Sequence, residues 1–178
     1  MKEDMNMRKL VSFDFDDTLF DTPKPEDGKD FWKEKTGTEW PHKGWWGKAE
    51  TLDMNVFDIK LNSFVHDEYL KYFGADNHVI LATGRLDSRK VSLKNEVNAI
   101  LDANKLSFDG VYLNTGIDTF DFKSKLFEKL IDEVKPTEFI MFDDREEHID
   151  RFAEWAKGQK CDVLIYDVRR MITIPIKN

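Results

Sequence analysis

The sequence is poor in cysteine and has no long hydrophobic run. Its single cysteine, Cys161, excludes an intramolecular disulfide and cannot build a thiolate zinc site alone. Because Cys161 precedes the apolar run 163–165, we expect its thiol to be buried beside a strand. No stretch approaches the roughly 18 apolar residues that a transmembrane helix needs. The start, Met1 to Asp4, lacks the cationic and apolar segments of a signal peptide, so we expect a cytoplasmic protein.

Basic residues are outnumbered by acidic ones. The 178 residues include 27 lysines and arginines against 35 aspartates and glutamates, which gives a formal net charge of −8. Non-specific binding to nucleic acids or to anionic membranes depends on Lys and Arg contacts to phosphate. The composition therefore argues against a membrane partner and against tight, sequence-independent coating of nucleic acid.

The hydrophobic pattern predicts an α/β protein. A chain of this length fits one domain, which we expect to span residues 1–178. Short apolar runs predict strands, and amphipathic stretches between them predict helices. The predicted strands are 10–13, 79–82, 111–113, 139–142 and 162–166, and the predicted helices are 63–73, a segment around 97–101, 126–134 and 146–157. Such alternation predicts a Rossmann-like fold, a central parallel sheet with helices on both faces. Residues 20–62 show no clean period, and we interpret them as an insertion after the first strand.

Polar residues follow three of the predicted strands. They are Asp14, Asp16 and Asp17 after the first strand, Thr83, Gly84 and Arg85 after the second, and Asp143, Asp144 and Arg145 after the fourth. Ligands of open α/β sheets bind beyond the carboxyl ends of the strands, so these groups should meet at one edge. Clustered carboxylates need a hard cation, and oxygen ligands favour Mg²⁺. Carboxylates, Mg²⁺ and arginine together indicate phosphoryl transfer, whereas turn and cap chemistry is the alternative for a single such cluster.

Four segments resemble the motifs of the haloacid dehalogenase (HAD) superfamily of aspartate-nucleophile phosphotransferases. They are an apolar strand followed by Asp14-x-Asp16-x-Thr18-Leu19, the run 79–83, Lys123, and the run 139–144. The resemblance implies a HAD fold and a hydrolase of phosphate monoesters. It implies that Asp14 is the nucleophile that becomes an aspartyl-phosphate, and that Asp16 first protonates the leaving oxygen and later activates water.

The same resemblance implies the remaining catalytic and metal groups. Thr83 would hold a phosphoryl oxygen, and Lys123 would offset the crowded negative charge, although Lys125 lies two positions away and is the alternative. The implied cofactor is Mg²⁺. Asp144 would be its direct ligand with Asp143 beside it, and Asp14 and the main-chain carbonyl of Asp16 would complete the protein's share.

A narrower resemblance covers roughly residues 8–168. It rests on Thr83-Gly84-Arg85, Asp118-Thr119-x-x-Phe122-Lys123 and Asp143-Asp144-Arg145. These segments are similar to the phosphatase domain of phage-type polynucleotide kinase/3′-phosphatase, and still more to the Swiss Army Knife RNA repair-like branch of the superfamily. The resemblance implies a terminal 3′-phosphate of a nucleic acid as substrate. The implied substrate-binding residues are Thr18, Gly84, Arg85 and Arg145, of which the two arginines could instead support other site residues. The sequence contains neither a phosphate-binding kinase loop nor a ligase motif, so we expect phosphatase chemistry alone.

Several residues keep an alternative interpretation. Arg145 could pair with Glu146 or Asp150 on a surface helix instead of binding substrate. His148 could orient the aspartates of the last motif or pack at the helix surface. Asp17 could stabilise the turn after the first strand and not touch the substrate.

The predicted insertion is rich in aromatic residues. Trp32, Trp40, Trp45 and Trp46 lie within 15 positions, and residues 32–48 contain four lysines against two glutamates. Such a segment suits single-stranded nucleic acid, because bases stack on aromatic rings and lysines follow the backbone. The alternative is a small satellite core, which we favour for Trp45 and Trp46, with Trp32 or Trp40 as the exposed ring. The segment is too short for a large lid, which favours an open site and a large substrate.

The sequence thus predicts a Mg²⁺-dependent phosphatase that acts on a nucleic-acid end. We expect weak, salt-sensitive contact with nucleic acid and no obligate protein partner. The rival hypotheses are a small-nucleotide phosphatase, a phosphoprotein phosphatase, and a binding protein that keeps the fold without turnover. The net charge of −8 fits this prediction, because five of the aspartates belong to the proposed site.

Overall fold

A computed structural model describes residues 8–178. The expected lack of a signal peptide concerns Met1 to Asp4, which lie outside these residues. The strands are β1 (Lys9–Phe13), β2 (Phe20–Asp21), β3 (Lys60–Leu61), β4 (His78–Leu86), β5 (Gly110–Asn114), β6 (Glu138–Asp143), β7 (Asp162–Asp167) and β8 (Ile172–Ile176). The helices are α1 (Pro25–Thr36), α2 (Ser63–Tyr72), α3 (Lys94–Ala103), α4 (Thr119–Val134) and α5 (Glu146–Ala156), with a short 3₁₀ turn at Ala49–Leu52.

Six strands form a central sheet in the order β5-β4-β1-β6-β7-β8. The pairings of β1 with β4 and β6, of β4 with β5 and of β6 with β7 are parallel, which confirms the predicted Rossmann-like α/β sheet. Strand β8 was not predicted, and it pairs with β7 in the antiparallel direction. It contains Pro175, which lacks an N–H for the ladder and is tolerated because β8 is an edge strand.

Side chains alternate between two cores, one on each face of the sheet. Val11 and Phe13 of β1 belong to the core that includes Val97 and Ile100 of α3, whereas Leu10 points to the opposite core. That second core is built with the buried face of α4 and α5: Phe127, Leu130, Ile131, Ile149 and Phe152. Burial on both faces explains why these strands are almost continuously apolar. The thiol of Cys161, just before β7, is buried in the second core as expected.

The predicted helices are present, with one difference in α2. Val65 and Tyr69 face the core, but Phe64, Leu70 and Phe73 are more than one-third exposed. From their apolar character, the sequence predicted a wider buried face of this helix than the structure shows. Among residues 8–178, no helix is both long and apolar enough to cross a membrane.

The segment 20–62 contains a helix that its hydrophobic pattern does not reveal. Helix α1 begins with Pro25 and has acidic residues in its first turn and basic residues in its last, which suits the helix dipole. It lacks a broad apolar face, and its buried residue is Gly28. A Cβ at Gly28 would lie 2.2 Å from the ring of Trp45, so glycine is needed for this close packing. The short strands β2 and β3 pair with each other in a separate two-stranded sheet.

Candidate active site

The order of the strands brings the predicted polar segments to one edge. Strand β1 lies between β4 and β6, so the residues that follow or end these three strands are neighbours. Asp14 follows β1 directly, and its N–H donates to the carbonyl of Phe142 in β6 at 3.1 Å. Asp143 is the last residue of β6. Strand β4 continues to Leu86. Thr83, Gly84 and Arg85 therefore lie within the last residues of this strand and not beyond its end.

The carboxylate of Asp14 is buried beside a lysine. Its Oδ1 lies 2.9 Å from Nζ of Lys123, and its Oδ2 accepts from the hydroxyl of Thr18 at 3.3 Å. Burial raises the pKa of Asp14 well above its usual value, Lys123 opposes this effect, and the charges of Asp143 and Asp144 add to it. A crowded carboxylate of this kind gains stability from any further cation at the site.

Lys123 connects two of the aspartates. It lies on α4, is 3% exposed, and donates to Asp14 and to Oδ2 of Asp143 at 3.0 Å. Although burial alone would lower the pKa of Lys123, the two carboxylates raise it above its usual value, so the side chain stays charged. Lys125 is exposed on another side of the same helix. The structure therefore places Lys123 at the site and Lys125 away from it.

The two aspartates of the last motif have different surroundings. Both oxygens of Asp143 are used, because Oδ2 accepts from Lys123 while Oδ1 accepts from the N–H groups of Asp144 and Arg145. Despite burial, Lys123 and these hydrogen bonds lower the pKa of Asp143. Burial and the charge of Asp143 raise the pKa of Asp144 to about 6. Asp144 is the more available ligand, and Thr18 joins it to Asp14 with a 3.3 Å hydrogen bond.

Three carboxylates form a group that fits a divalent cation. One oxygen from each of Asp14, Asp143 and Asp144 lies within 4.8 Å of the others. Burial raises the pKa of both Asp14 and Asp144, and the charges of the neighbouring carboxylates raise it further. An all-oxygen set with excess negative charge is what hard cations such as Mg²⁺ prefer. The acidic cluster can thus hold a metal ion.

Asp16 is held by Arg85, which the resemblance implied would either bind the substrate or support other residues of the site. Nε of Arg85 lies 3.0 Å from Oδ2 of Asp16, and Nη2 lies 2.7 Å from Oδ1. Thr22 donates to the same Oδ1 at 2.6 Å. The side chain of Arg85 is 1% exposed, and its Nη1 donates to the carbonyl of Trp46 and to the hydroxyl of Thr51. Arg85 therefore holds Asp16 and also lines the pocket. The segment Thr22-Pro23-x-Pro25 was part of the narrower resemblance, whereas the sequence offered no signal for Thr51.

The segment around Gly84 forms one wall of the pocket. Thr83 is fully buried, and its hydroxyl oxygen accepts from the N–H of Arg85 at 3.1 Å. Gly84 lines the pocket together with Thr119, the first residue of α4. A Cβ at Gly84 would lie 3.0 Å from the Thr119 hydroxyl, so glycine leaves room for that group. The contact predicted for Thr83 with a phosphoryl oxygen stays a prediction, and Thr119 is a further polar group at the pocket.

Arg145 and His148 also line the pocket. Arg145 is exposed, and within residues 8–178 its guanidinium has no ion pair, so the pairing with Glu146 or Asp150 is not formed. His148 is buried, and its Nδ1 has no hydrogen-bond partner in the described part of the chain. Burial lowers the pKa of His148, which favours a neutral ring at the edge of the acidic cluster.

Asp17 shapes the turn between β1 and β2. Its backbone has a positive φ of 55°, a conformation that aspartate tolerates better than most residues, and its N–H donates to the carbonyl of Phe20. Its carboxylate pairs with Lys24 at 3.0 Å. In this turn Asp16 faces the pocket, whereas Thr18 is buried with its hydroxyl against Asp14 and Asp144.

The tryptophans of segment 20–62 divide into a covered group and one exposed ring. Trp32, Trp40 and Trp45 pack on one another with ring centroids 4.6–5.3 Å apart, and Trp45 donates to the carbonyl of Pro23. The satellite core predicted for Trp45 is present, but the same prediction for Trp46 is wrong, because Trp46 lies outside this cluster. The expectation that Trp32 or Trp40 is the exposed ring is wrong, because both are half-buried against each other. The exposed ring is Trp46, which is 42% accessible and lines the pocket.

The fold and this strand-end site define a Rossmann-like protein of the HAD class. The profile of HAD domain family 1 in Swiss Army Knife RNA repair proteins matches residues 72–175, more than half of the chain. The chain therefore belongs to this family, which confirms the resemblance stated for the motifs. The matched segment includes Lys123 and the last motif, whereas Asp14 and Asp16 precede it.

A solved structure shows the same fold over almost the whole chain. It is described as the structure of the Pnkp1/Rnl/Hen1 RNA repair complex, and it matches with a TM-score of 0.56 and 17% sequence identity. The match covers 93% of this chain and 45% of the other, so the chain spans less than half of that relative's length. No curated protein matches the sequence.

Proposed function

We propose that this protein is a Mg²⁺-dependent phosphatase that removes a terminal phosphate, the 3′-phosphate, from nucleic acid through an aspartyl-phosphate. The observation that carries the proposal is the contrast between two aspartates in one pocket. Asp14 lies among Lys123 and the acidic cluster, where a phosphoryl group and a cation would be held. Asp16 lies two residues further on, held by Arg85 and facing the same pocket. These are the positions that a nucleophile and an acid–base group require.

The first half of the reaction transfers the phosphoryl group to the protein. A carboxylate oxygen of Asp14 attacks phosphorus, and the bond from phosphorus to the substrate oxygen breaks. Asp16 enters this step in its protonated form, with Arg85 hydrogen-bonded to it, and gives the proton to the departing oxygen, which leaves as a hydroxyl group. Lys123 keeps Asp14 oriented through its 2.9 Å contact and limits the build-up of negative charge.

The second half releases phosphate. Asp16, now deprotonated, takes a proton from a water molecule while the water oxygen attacks phosphorus. The bond between phosphorus and Asp14 breaks, and inorganic phosphate leaves with both aspartates restored. The hydrogen bonds from Arg85 and Thr22 fix the carboxylate of Asp16 for both proton transfers.

The cation would be held by the acidic cluster. Asp14 and Asp144, with the main-chain carbonyl of Asp16, would be its ligands, and Asp143 would orient the loop through its bonds to the following N–H groups. When bound, Mg²⁺ supplies positive charge to the phosphoryl oxygens. The neutral form of His148 at the edge of the cluster adds no competing positive charge there.

Three observations support a nucleic-acid substrate. The chain belongs to a family defined in RNA repair proteins, and the similar solved structure is an RNA repair complex. A cleft of about 710 Å³ adjoins the catalytic pocket, and the two share Asp17 and Asp144 in their walls. Lys24, Lys60 and Arg169 line this cleft. Because these cationic side chains are few, we expect them to bind the end of a strand weakly and in a salt-sensitive way. This agrees with the net charge of −8.

The proposal is tested by comparing phosphate release from several substrates. We expect the highest kcat/KM for a 3′-phosphorylated RNA oligonucleotide, and lower values for nucleoside 3′-monophosphates, a phosphopeptide and an aryl phosphate. The reason is that Lys24, Lys60 and Arg169, which line the cleft together with three aspartates, would contact nucleotides beyond the terminal one. Such contacts weaken as salt is added, so KM for the oligonucleotide should rise with salt. Chelation of divalent cations should abolish release from every substrate. The measurement is steady-state phosphate release, with and without EDTA.

The rival hypotheses predict different outcomes. Equal turnover of mononucleotides and oligonucleotides would favour a small-nucleotide phosphatase, and preference for the phosphopeptide would favour a phosphoprotein phosphatase. Release of phosphate from none of the substrates would favour a non-catalytic binding protein. Activity that survives EDTA would contradict the metal dependence.

Metal binding should also appear as a change in stability. We expect Mg²⁺ to raise the free energy of unfolding by about 2.7 kcal/mol at 100 times its Kd, because it binds the folded acidic cluster and not the unfolded chain. The gain should be smaller at pH 5 than at pH 7.5. Since the pKa of Asp144 is raised to about 6, its carboxyl is largely protonated at pH 5, and protons compete with the cation. Thermal unfolding with MgCl₂ or EDTA measures both effects.

Two variants control this measurement. Asp144→Asn should lose most of the Mg²⁺-dependent gain, while Asp102→Asn, at an exposed position on α3, should keep it. Without metal, Asp144→Asn should be at least as stable as the wild type, because the neutral amide removes repulsion from Asp143. A full Mg²⁺ shift in Asp144→Asn would show that the ion binds elsewhere.

A further inference from the structure

We propose that the exposed ring of Trp46 is the stacking surface for the base of the nucleotide whose phosphate enters the Asp14 pocket. The inference rests on the proposed function and names how that site recognises its substrate. It concerns one side chain, which the satellite core does not require and which the phosphoryl-transfer chemistry leaves unused.

Trp46 differs from its neighbours in where its ring lies. Trp45 is 5% exposed and its ring packs in the satellite core, whereas Trp46 is 42% exposed. Trp46 lines the same pocket of about 250 Å³ as Asp14, Asp16 and Lys123. An exposed indole at the wall of a polar pocket offers an apolar surface that the rest of the described chain leaves partly open to a ligand. Such a face suits a flat, aromatic part of the substrate.

The ring is fixed in place by the residue that holds Asp16. The carbonyl of Trp46 accepts from Nη1 of Arg85 at 2.7 Å, and the guanidinium carbon lies 5.1 Å from the centroid of the Trp46 ring. The other nitrogens of Arg85 donate to Asp16. One buried arginine thus sets the positions of both the ring and the acid–base group. A surface that is already ordered costs little conformational entropy when a ligand binds.

The chemistry of a nucleotide matches this arrangement. Asp16 would lie at the oxygen that joins phosphate to the leaving group, and Arg85 contacts both Asp16 and Trp46. In a nucleoside 3′-phosphate, the base is attached to the same sugar as that oxygen. One sugar therefore separates the phosphate from an aromatic ring system. A phosphoserine or phosphothreonine leaving group carries no ring that could use the surface.

Stacking also explains recognition by an acidic protein. Contact between a base and an aromatic ring contributes about 5- to 150-fold in affinity per base and does not depend on positive charge. With a net charge of −8, the protein gains little from long-range attraction to a polyanion. A stacked terminal base would supply affinity where the local cations are few.

The test varies the enzyme and the substrate together. Kinetics are measured for wild type, Trp46→Ala and Trp46→Phe on two 3′-phosphorylated RNA oligonucleotides, one ending in adenosine and one ending in an abasic sugar. We expect Trp46→Ala to lower kcat/KM for the adenosine end by about 10- to 100-fold, mainly through KM, and Trp46→Phe to restore most of it. On the abasic end, Trp46→Ala and wild type should be equal. Phe31→Ala, at an exposed aromatic residue away from the pocket, should match wild type on both.

Each outcome separates the inference from the proposed function. An equal loss on both oligonucleotides would mean that Trp46 acts only by supporting Arg85, which overturns the inference. Equal turnover of both ends by the wild type would overturn it as well, while the proposed phosphatase activity would stand. If the wild type hydrolyses an aryl phosphate but neither oligonucleotide, the proposed substrate class is wrong. A Trp46→Ala defect confined to a phosphotyrosine peptide would assign the ring to a protein substrate and likewise overturn the inference.

Discussion

Replacement of Asp14 by asparagine is expected to lower kcat for phosphate release by about 10⁴-fold or more, the scale seen when a covalent nucleophile is removed. An amide oxygen is a poor nucleophile, and asparagine cannot form the aspartyl-phosphate. The variant would also lose a ligand of the acidic cluster. The measurement is single-turnover phosphate release from the 3′-phosphorylated oligonucleotide, with acid quenching of wild type to trap the phosphoprotein.

From the structure, we expect this loss of activity to occur without unfolding of the variant. Burial and neighbouring negative charge raise the pKa of Asp14, so a neutral side chain of the same shape relieves strain between the carboxylates. Lys123 keeps its second partner, Asp143. We therefore expect Asp14→Asn without metal to unfold at or above the wild-type Tm. Asp102→Asn serves as the control and should keep full activity. Residual turnover in Asp14→Asn near the wild-type rate would refute the covalent mechanism.

Loss of the Lys123 side chain should have the largest effect on stability. Lys123→Ala leaves Asp14 and Asp143 buried without their cation, and breaking a buried ion pair in this way costs about 3–5 kcal/mol. For a chain of this length, that corresponds to a Tm lowered by about 6–20 °C. Thermal and urea unfolding of the metal-free proteins at pH 7.5 measure the difference.

The effect of Lys123→Ala should depend on pH with a known sign. In the wild type, Lys123 lowers the pKa of Asp143, so the stability that this pair contributes is present above the unfolded pKa and is lost on acidification. In the variant, the buried carboxyls bind protons more readily than in the unfolded chain, which favours its folded state as pH falls. The two proteins should therefore converge in stability toward pH 4.

A lysine two positions away provides a matched control. Lys125→Ala removes an exposed side chain from the same helix and should change stability by no more than about 0.5 kcal/mol. It should also leave phosphate release unchanged. Equal destabilisation by the two substitutions would mean that helix propensity, and not the contacts of Lys123 with Asp14 and Asp143, accounts for the loss.

The central fold was predictable because its signals are local. Buried parallel strands are continuously apolar, and such runs stand out between amphipathic helices without knowledge of their partners. Strand β8 lacks this signal, since an edge strand is half exposed and tolerates Pro175. Helix α1 was missed for a related reason, because its first and last turns are marked by charge and its middle carries no apolar stripe.

The sequence by itself determined which aspartates meet at the site, because residues that follow parallel strands must lie at one edge of the sheet. The resemblance implied Lys123 at the site with Lys125 as the alternative, and tertiary structure decided between them and paired Arg85 with Asp16. Lys123 is 109 positions from Asp14, and Arg85 is 69 positions from Asp16, so the approach angles of α4 and β4 select these side chains. It also decided which tryptophan is exposed, because the sequence pattern favoured Trp32 or Trp40 and the exposed residue is Trp46. Three of the rings pack on one another, with Trp45 against Gly28, and the fourth, Trp46, lies against Arg85 at the pocket.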